Sequence, residues 1–122
     1  MAAEIQINLA VRFNKSGIGD GIDLAFTADW SAAKFNRTIQ VLSTVEEAIN
    51  LGEATGGGGW CVLVNRGSGT DNIHIRQATG AANALTLKPG EGAVFRWSTS
   101  STAPFAVSSA GTPSLEVIVL AA

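Results

Sequence analysis

The chain has 122 residues, of which 46% are hydrophobic and 15% charged, with a formal net charge of −2. This length suits one domain able to bury its own core, and the hydrophobic content excludes a disordered chain. No basic cluster is present to attract nucleic acid, and no run approaches the roughly 18 apolar residues of a membrane span.

Charge is well below the usual quarter of residues, which leaves neutral surface for a partner protein. Met1 to Gln6 lacks the basic start and long apolar run of a signal peptide, so synthesis in the cytoplasm without export is expected. The single cysteine, Cys61, excludes an intramolecular disulfide and sits in the most apolar stretch of the chain, where it reads as a small buried hydrophobe.

Glu4 to Phe13 alternates strictly, with Ile5, Ile7, Leu9, Val11 and Phe13 on one side, and predicts a half-buried strand. Asn14 to Gly21 is rich in glycine and reads as a loop, longer than a two-residue turn. Ile22, Leu24, Phe26, Ala28 and Trp30 alternate again and predict a second strand that forms a hairpin with the first. Arg37 to Leu42 predicts a third strand with Ile39 and Val41 as its apolar face. Thr44 and Glu47 have the spacing of a helical capping box, but Gly52 follows within about two turns, so a turn and a short strand at Ala48 to Leu51 are favoured.

Glu53 to Gly59 is a glycine-rich connection. Trp60 to Val64 is apolar on both alternating faces, as a strand covered on both sides would be. Ile73 to Arg76 and Leu85 to Leu87 follow as strands. Lys88-Pro-Gly-Glu91 predicts a type II turn, since Pro89 sets φ and Gly90 permits φ > 0. Gln77 to Ala84 and Ser98 to Pro104 read as loops, Ala93 to Trp97 and Phe105 to Val107 as strands. Ser114 to Leu120 is the last strand, with Leu115, Val117 and Val119 on one side and Ile118 and Leu120 on the other. Eight to nine short strands and no helical period predict an all-β protein. The expected form is a single β-sandwich domain, or a jelly-roll-like small barrel, over residues 1–122, with 1–4 as a short N-terminal arm.

Catalytic chemistry finds little footing. His74 is the only histidine and points away from the Ile73/Ile75 face, no serine lies in a nucleophile elbow, and a zinc site would need more His and Cys than the chain owns. Asp20 and Asp23 share a glycine-rich segment but lack the spacing of a calcium loop. Gly56 to Gly59 lacks the Gly-Lys-Ser/Thr of a phosphate loop. No cofactor, metal or catalytic residue is expected, and the chain reads as non-enzymatic. Trp30, Trp60 and Trp97 follow the apolar parity of strands, which suits core or interface better than a sugar platform.

Four segments together carry a resemblance. Gly59-Trp-Cys-Val-Leu-Val-Asn-Arg66, Asn72-Ile-His-Ile75, Leu85-Thr-Leu-Lys-Pro-Gly-Glu-Gly-Ala-Val-Phe-Arg96 and Leu115-Glu-Val-Ile-Val-Leu120 resemble, in this order, small β-sandwich structural proteins of tailed bacteriophage virions. The resemblance covers about the C-terminal half. It implies a capsid decoration, or cement, protein: a homo-oligomer, with a trimer favoured, bound to the major capsid protein or other virion proteins, and located on the capsid surface. A tail or baseplate component with a receptor- or carbohydrate-binding role is the alternative, its contacts on the loops Gln77 to Ala84 and Ser98 to Pro104. The candidate interface residues are Met1, Ala2, Ala3 and Glu4 of the arm, with Trp60 and Trp97.

Overall fold

The computed structural model describes residues 5–28, 34–52, 59–96 and 104–120. Ten strands are formed: β1 Ile5–Lys15, β2 Ile18–Ala28, β3 Phe35–Val41, β4 Glu47–Ala48, β5 Trp60–Asn65, β6 Ile73–Arg76, β7 Asn83–Leu87, β8 Gly92–Arg96, β9 Phe105–Ser108 and β10 Ser114–Leu120. The chain divides into two compact units, Met1–Ser31 and Ala32–Ala122.

The first unit is an antiparallel hairpin with Ile5 opposite Ala28 and Lys15 opposite Ile18. Its strands run much further than the glycines suggested. The turn is only Ser16 and Gly17, both at positive φ (53° and 81°), as a type I′ turn requires. Gly19 and Gly21 lie inside β2. Gly21 faces Arg12, and a Cβ there would lie 2.7 Å from Arg12 Cδ. The missing side chain is what lets the Arg12 guanidinium cross the ribbon, donate to the Ile22 carbonyl at 3.2 Å and pair with Asp23.

The expected half-burial of these strands does not hold along their length. Ile5 and Ile7 are buried, but Leu9, Val11, Phe13, Ile22 and Leu24 are exposed. The alternation does form strands. A two-stranded ribbon, however, has no sheet of its own to pack its apolar side against.

The second unit is a sandwich of two open four-stranded sheets, ordered β3-β10-β5-β8 and β4-β9-β6-β7. Its all-β character follows the sequence reading, with ten strands among the described residues where eight or nine were expected, and the sheets do not close into a barrel. β10 and β5 are central because both are apolar on each face. Their inward residues Leu115, Val117, Val119, Cys61 and Leu63 are wholly buried. These meet Ile73, Ile75, Leu87 and Ala106 from the second sheet in one core cluster, which Leu42, Ile49 and Leu51 extend. Each fully buried aliphatic side chain of this kind contributes about 1.5–3 kcal/mol.

At β3 the predicted face is inverted: Ile39 and Val41 point outward and are about 60% exposed. The inward positions are polar, and they tie the edge strand to the opposite sheet. Gln40 Nε2 donates to Glu47 Oε1 and to the Ala48 carbonyl, both at 2.9 Å, and Gln40 Oε1 accepts the Asn50 amide at 2.8 Å. Hydrogen bonds, not an aliphatic face, hold this edge, and Leu42 is the residue that enters the core. No helix forms at 44–51. The Ser43 hydroxyl accepts the Val45 amide at 3.1 Å, and a turn leads into β4. The turn-and-strand reading holds in kind, but the strand is Glu47–Ala48 and not the expected Ala48 to Leu51, whose Ile49 and Leu51 enter the core beyond it.

Candidate functional site

The outer face of the β3-β10-β5-β8 sheet is the most unusual surface of the sandwich. Register places Phe35, Leu120, Trp60 and Arg96 in one row, and Arg37, Ile118, Val62 and Val94 in the next. Ile39, Glu116, Val64 and Gly92 form a third row, and Val41 stands beside Ser114. An outward sheet face normally alternates to polar residues. Here most positions are aliphatic or aromatic, with Phe35, Ile39, Val41 and Val94 exposed and Trp60, Val62, Val64, Ile118 and Leu120 half-buried.

Besides Arg96 in the first row, an ionic cluster around Glu116 interrupts this apolar field. Glu116 Oε2 accepts from Arg37 Nε at 2.9 Å and Nη2 at 2.6 Å. Glu116 Oε1 accepts from Arg66 Nε at 2.8 Å and Nη2 at 2.7 Å. Both carboxylate oxygens are thus held in two-pronged guanidinium contacts. The hydrogen bonds from Arg66 and then Arg37 hold the Glu116 carboxyl below the usual carboxylate range, against the opposing effect of its desolvation. The carboxylate side chain is 7% exposed and the two arginines 62% and 56%, so the cluster shows solvent guanidinium edges and one net positive charge.

Trp60 reaches the surface in the same face. The Arg96 guanidinium lies 5.0 Å from its ring centroid, a cation–π contact that leaves the indole in the sheet's outer row. Of the sequence-derived interface candidates, Trp60 is therefore placed on a surface. Met1, Ala2, Ala3, Glu4 and Trp97 lie outside the described residues, as do Trp30, the four-glycine run up to Gly58 and most of the Ser98–Pro104 loop.

Two segments that carried the family resemblance meet in space and are structural. Asn65 is wholly buried at the end of β5. Its Nδ2 donates to the carbonyls of Asp71 at 3.0 Å and Leu87 at 2.9 Å, and its Oδ1 accepts the Gly67 amide at 2.8 Å. Its backbone carbonyl accepts the Gly90 amide at 2.8 Å. The Lys88–Glu91 turn forms as predicted, with Gly90 at φ 86° and the Glu91 amide donating to the Lys88 carbonyl at 2.9 Å. Glu91 Oε1 also accepts the Lys88 amide at 2.8 Å. The strand-ending asparagine and the Pro-Gly-Glu turn are one hydrogen-bonded unit.

The remaining chemical candidates are placed as follows. Cys61 is wholly buried, and desolvation pushes its thiol up to about 12. His74 lies on the outer side of its sheet, its Nδ1 2.9 Å from the Thr86 hydroxyl on the neighbouring strand. Asp20 and Asp23 fall on opposite faces of the hairpin, so the two carboxylates do not converge on a cation. Among the described residues, no group of three or more His, Cys, Asp or Glu side chains could hold a metal ion.

Sequence reading missed the outward turn of Ile39 and Val41 and the Glu116 clamp. The signal for the first was the polar inner parity Asn36, Thr38, Gln40. The clamp joins residues 79 and 50 positions apart, and only strand order brings them together.

Compared with family models, with curated proteins and with solved structures, the chain has no significant match to any of them.

Proposed function

We propose that this chain is a non-enzymatic structural protein of a tailed-bacteriophage virion, a decoration protein that cements the capsid surface. The observation that carries the reading is the apolar outer face of the β3-β10-β5-β8 sheet. An apolar field of this kind on a small sandwich fits a surface that becomes covered in an assembly. The Arg37–Glu116–Arg66 cluster gives that face orientation, since its net positive charge favours an acidic group on the opposing protein. The order of motifs from Gly59 to Leu120, resembling virion β-sandwich proteins, directs the reading to the capsid. The partner is then the major capsid protein, and the working unit a homo-oligomer with a trimer favoured.

The test mixes purified full-length protein with expanded, undecorated phage heads and weighs the protein carried down with them. Saturable binding at hundreds of copies per head is the expected result, lost on substitution of Ile39→Asp together with Val41→Asp. Absence of binding by a folded protein overturns the assignment.

A further inference from the structure

The hairpin of the first unit is amphipathic along its whole length. One side carries Ile5, Ile7, Leu9, Val11 and Phe13 of β1, opposite Ala28, Phe26, Leu24, Ile22 and Asp20 of β2. The other carries Gln6, Asn8, Arg12 and Asn14 opposite Thr27, Ala25, Gly21 and Gly19, with the Arg12–Asp23 pair closed across it. Beyond Ile7 the apolar side is open: Leu9 is 40% exposed, Val11 53%, Phe13 56%, Ile22 58% and Leu24 47%. The open stretch, Leu9 to Lys15 against Ile18 to Leu24, extends roughly 23 Å at about 3.3 Å per residue, and two strands about 4.8 Å apart give it a footprint of roughly 220 Å². A contiguous apolar patch of a few hundred Å² is about the most a monomer commonly exposes, and it is often functional. An isolated two-stranded hairpin is also marginal in water, so an ordered ribbon of this length calls for a cover.

The charges on this side identify the cover. Only two ionisable residues stand on it beyond the base, Lys15 on the β1 edge and Asp20 on the β2 edge, both exposed and near the tip. No ion pair joins them within the ribbon, unlike Arg12 and Asp23 on the far side. A copy related by rotation about an axis along the ribbon turns its β2 edge toward the β1 edge of the first. Apolar side then meets apolar side, and Lys15 of each copy meets Asp20 of the next.

We propose that the apolar side of the Ile5–Ala28 hairpin is a self-association surface, and that its occupant is the same hairpin of a second copy of this chain. Opposite charges at the two edges set the parallel orientation and disfavour the antiparallel one. The inference locates the interface of the oligomer proposed above and rests on that part of the reading: a monomer that binds heads would overturn this proposal and the oligomeric unit together, and leave the capsid assignment intact.

The test is sedimentation of the full-length protein across micromolar concentrations. The wild type is expected to be oligomeric and the Val11→Asp/Leu24→Asp variant monomeric, with the near-ultraviolet spectrum of the sandwich unchanged. Lys15→Asp and Asp20→Lys are each expected to weaken association at least tenfold. The double exchange should restore it, and an equimolar mixture of the two single variants should associate. A monomeric wild type, an oligomer that survives Val11→Asp/Leu24→Asp, or a double exchange that fails to rescue would each overturn the proposal.

Discussion

Replacing Asn65 with alanine tests whether the junction of β5, the 66–72 loop and the Lys88–Glu91 turn is held by one side chain. The substitution removes the bonds from Nδ2 to the Asp71 and Leu87 carbonyls and the bond to Oδ1 from the Gly67 amide. At a net contribution of about 1 kcal/mol each, the three bonds account for about 3 kcal/mol. The Leu87 carbonyl is left in a buried site, where an unmade bond costs a further 1 kcal/mol or so. A loss of about 3–4 kcal/mol is therefore expected. With a urea dependence of about 1.5 kcal/mol per molar, the unfolding midpoint should fall by roughly 2 M. Asn65→Asp separates hydrogen bonding from size. It keeps the acceptor for Gly67 but faces two carbonyls with a carboxylate, so its folded-state pKa rises above the ordinary value of about 3.9. A raised carboxyl pKa means stability present at low pH and lost as pH increases through the folded-state value. Asn65→Asp should accordingly be as damaging as Asn65→Ala at pH 7 and partly recover near pH 4. A midpoint shift below about 0.5 M for Asn65→Ala, or an Asn65→Asp midpoint that tracks the wild type at every pH, would refute the reasoning.

Two further outcomes follow from the sandwich. Glu116 has a carboxyl pKa lowered by Arg66 and Arg37, so its ion pairs stabilise the fold above the ordinary glutamate range, about pH 4.3, and are lost as pH falls through the lowered value. Glu116→Gln should flatten this acid-side decline in thermal melts taken from pH 7 down to pH 2, whereas an unchanged slope would show that other carboxylates govern it. Cys61, with its thiol raised to about 12 in a site closed to solvent, should react with a thiol reagent at pH 8 only after denaturation. Rapid labelling of the native protein would contradict that burial.

The amino-acid sequence by itself determined the elements whose energetics are local. Alternation set β1, β2 and β10, two-sided apolarity marked β5 and β10 as the strands with apolar residues on both sides, and Pro89-Gly90 specified the turn that forms. These are short-range properties, since a period of two, a fixed φ and a permitted positive φ act within a few residues. Tertiary structure alone decided which side of β3 lies inward, whereas at β6 the Ile73/Ile75 parity already gave it. At β3 the apolar parity faces out because Gln40 bonds residues of the opposite sheet, and a hydrogen bond to a distant segment leaves no periodic trace in the chain. The hairpin shows the same limit. Its pattern demands burial of one side, but a pattern names no partner, and within one chain Leu9 to Phe13 remain in water. The Glu116 clamp likewise exists only because strand order sets β10 between β3 and β5. Periodicity states how much apolar surface must be covered, and the arrangement of strands decides what is left to do the covering.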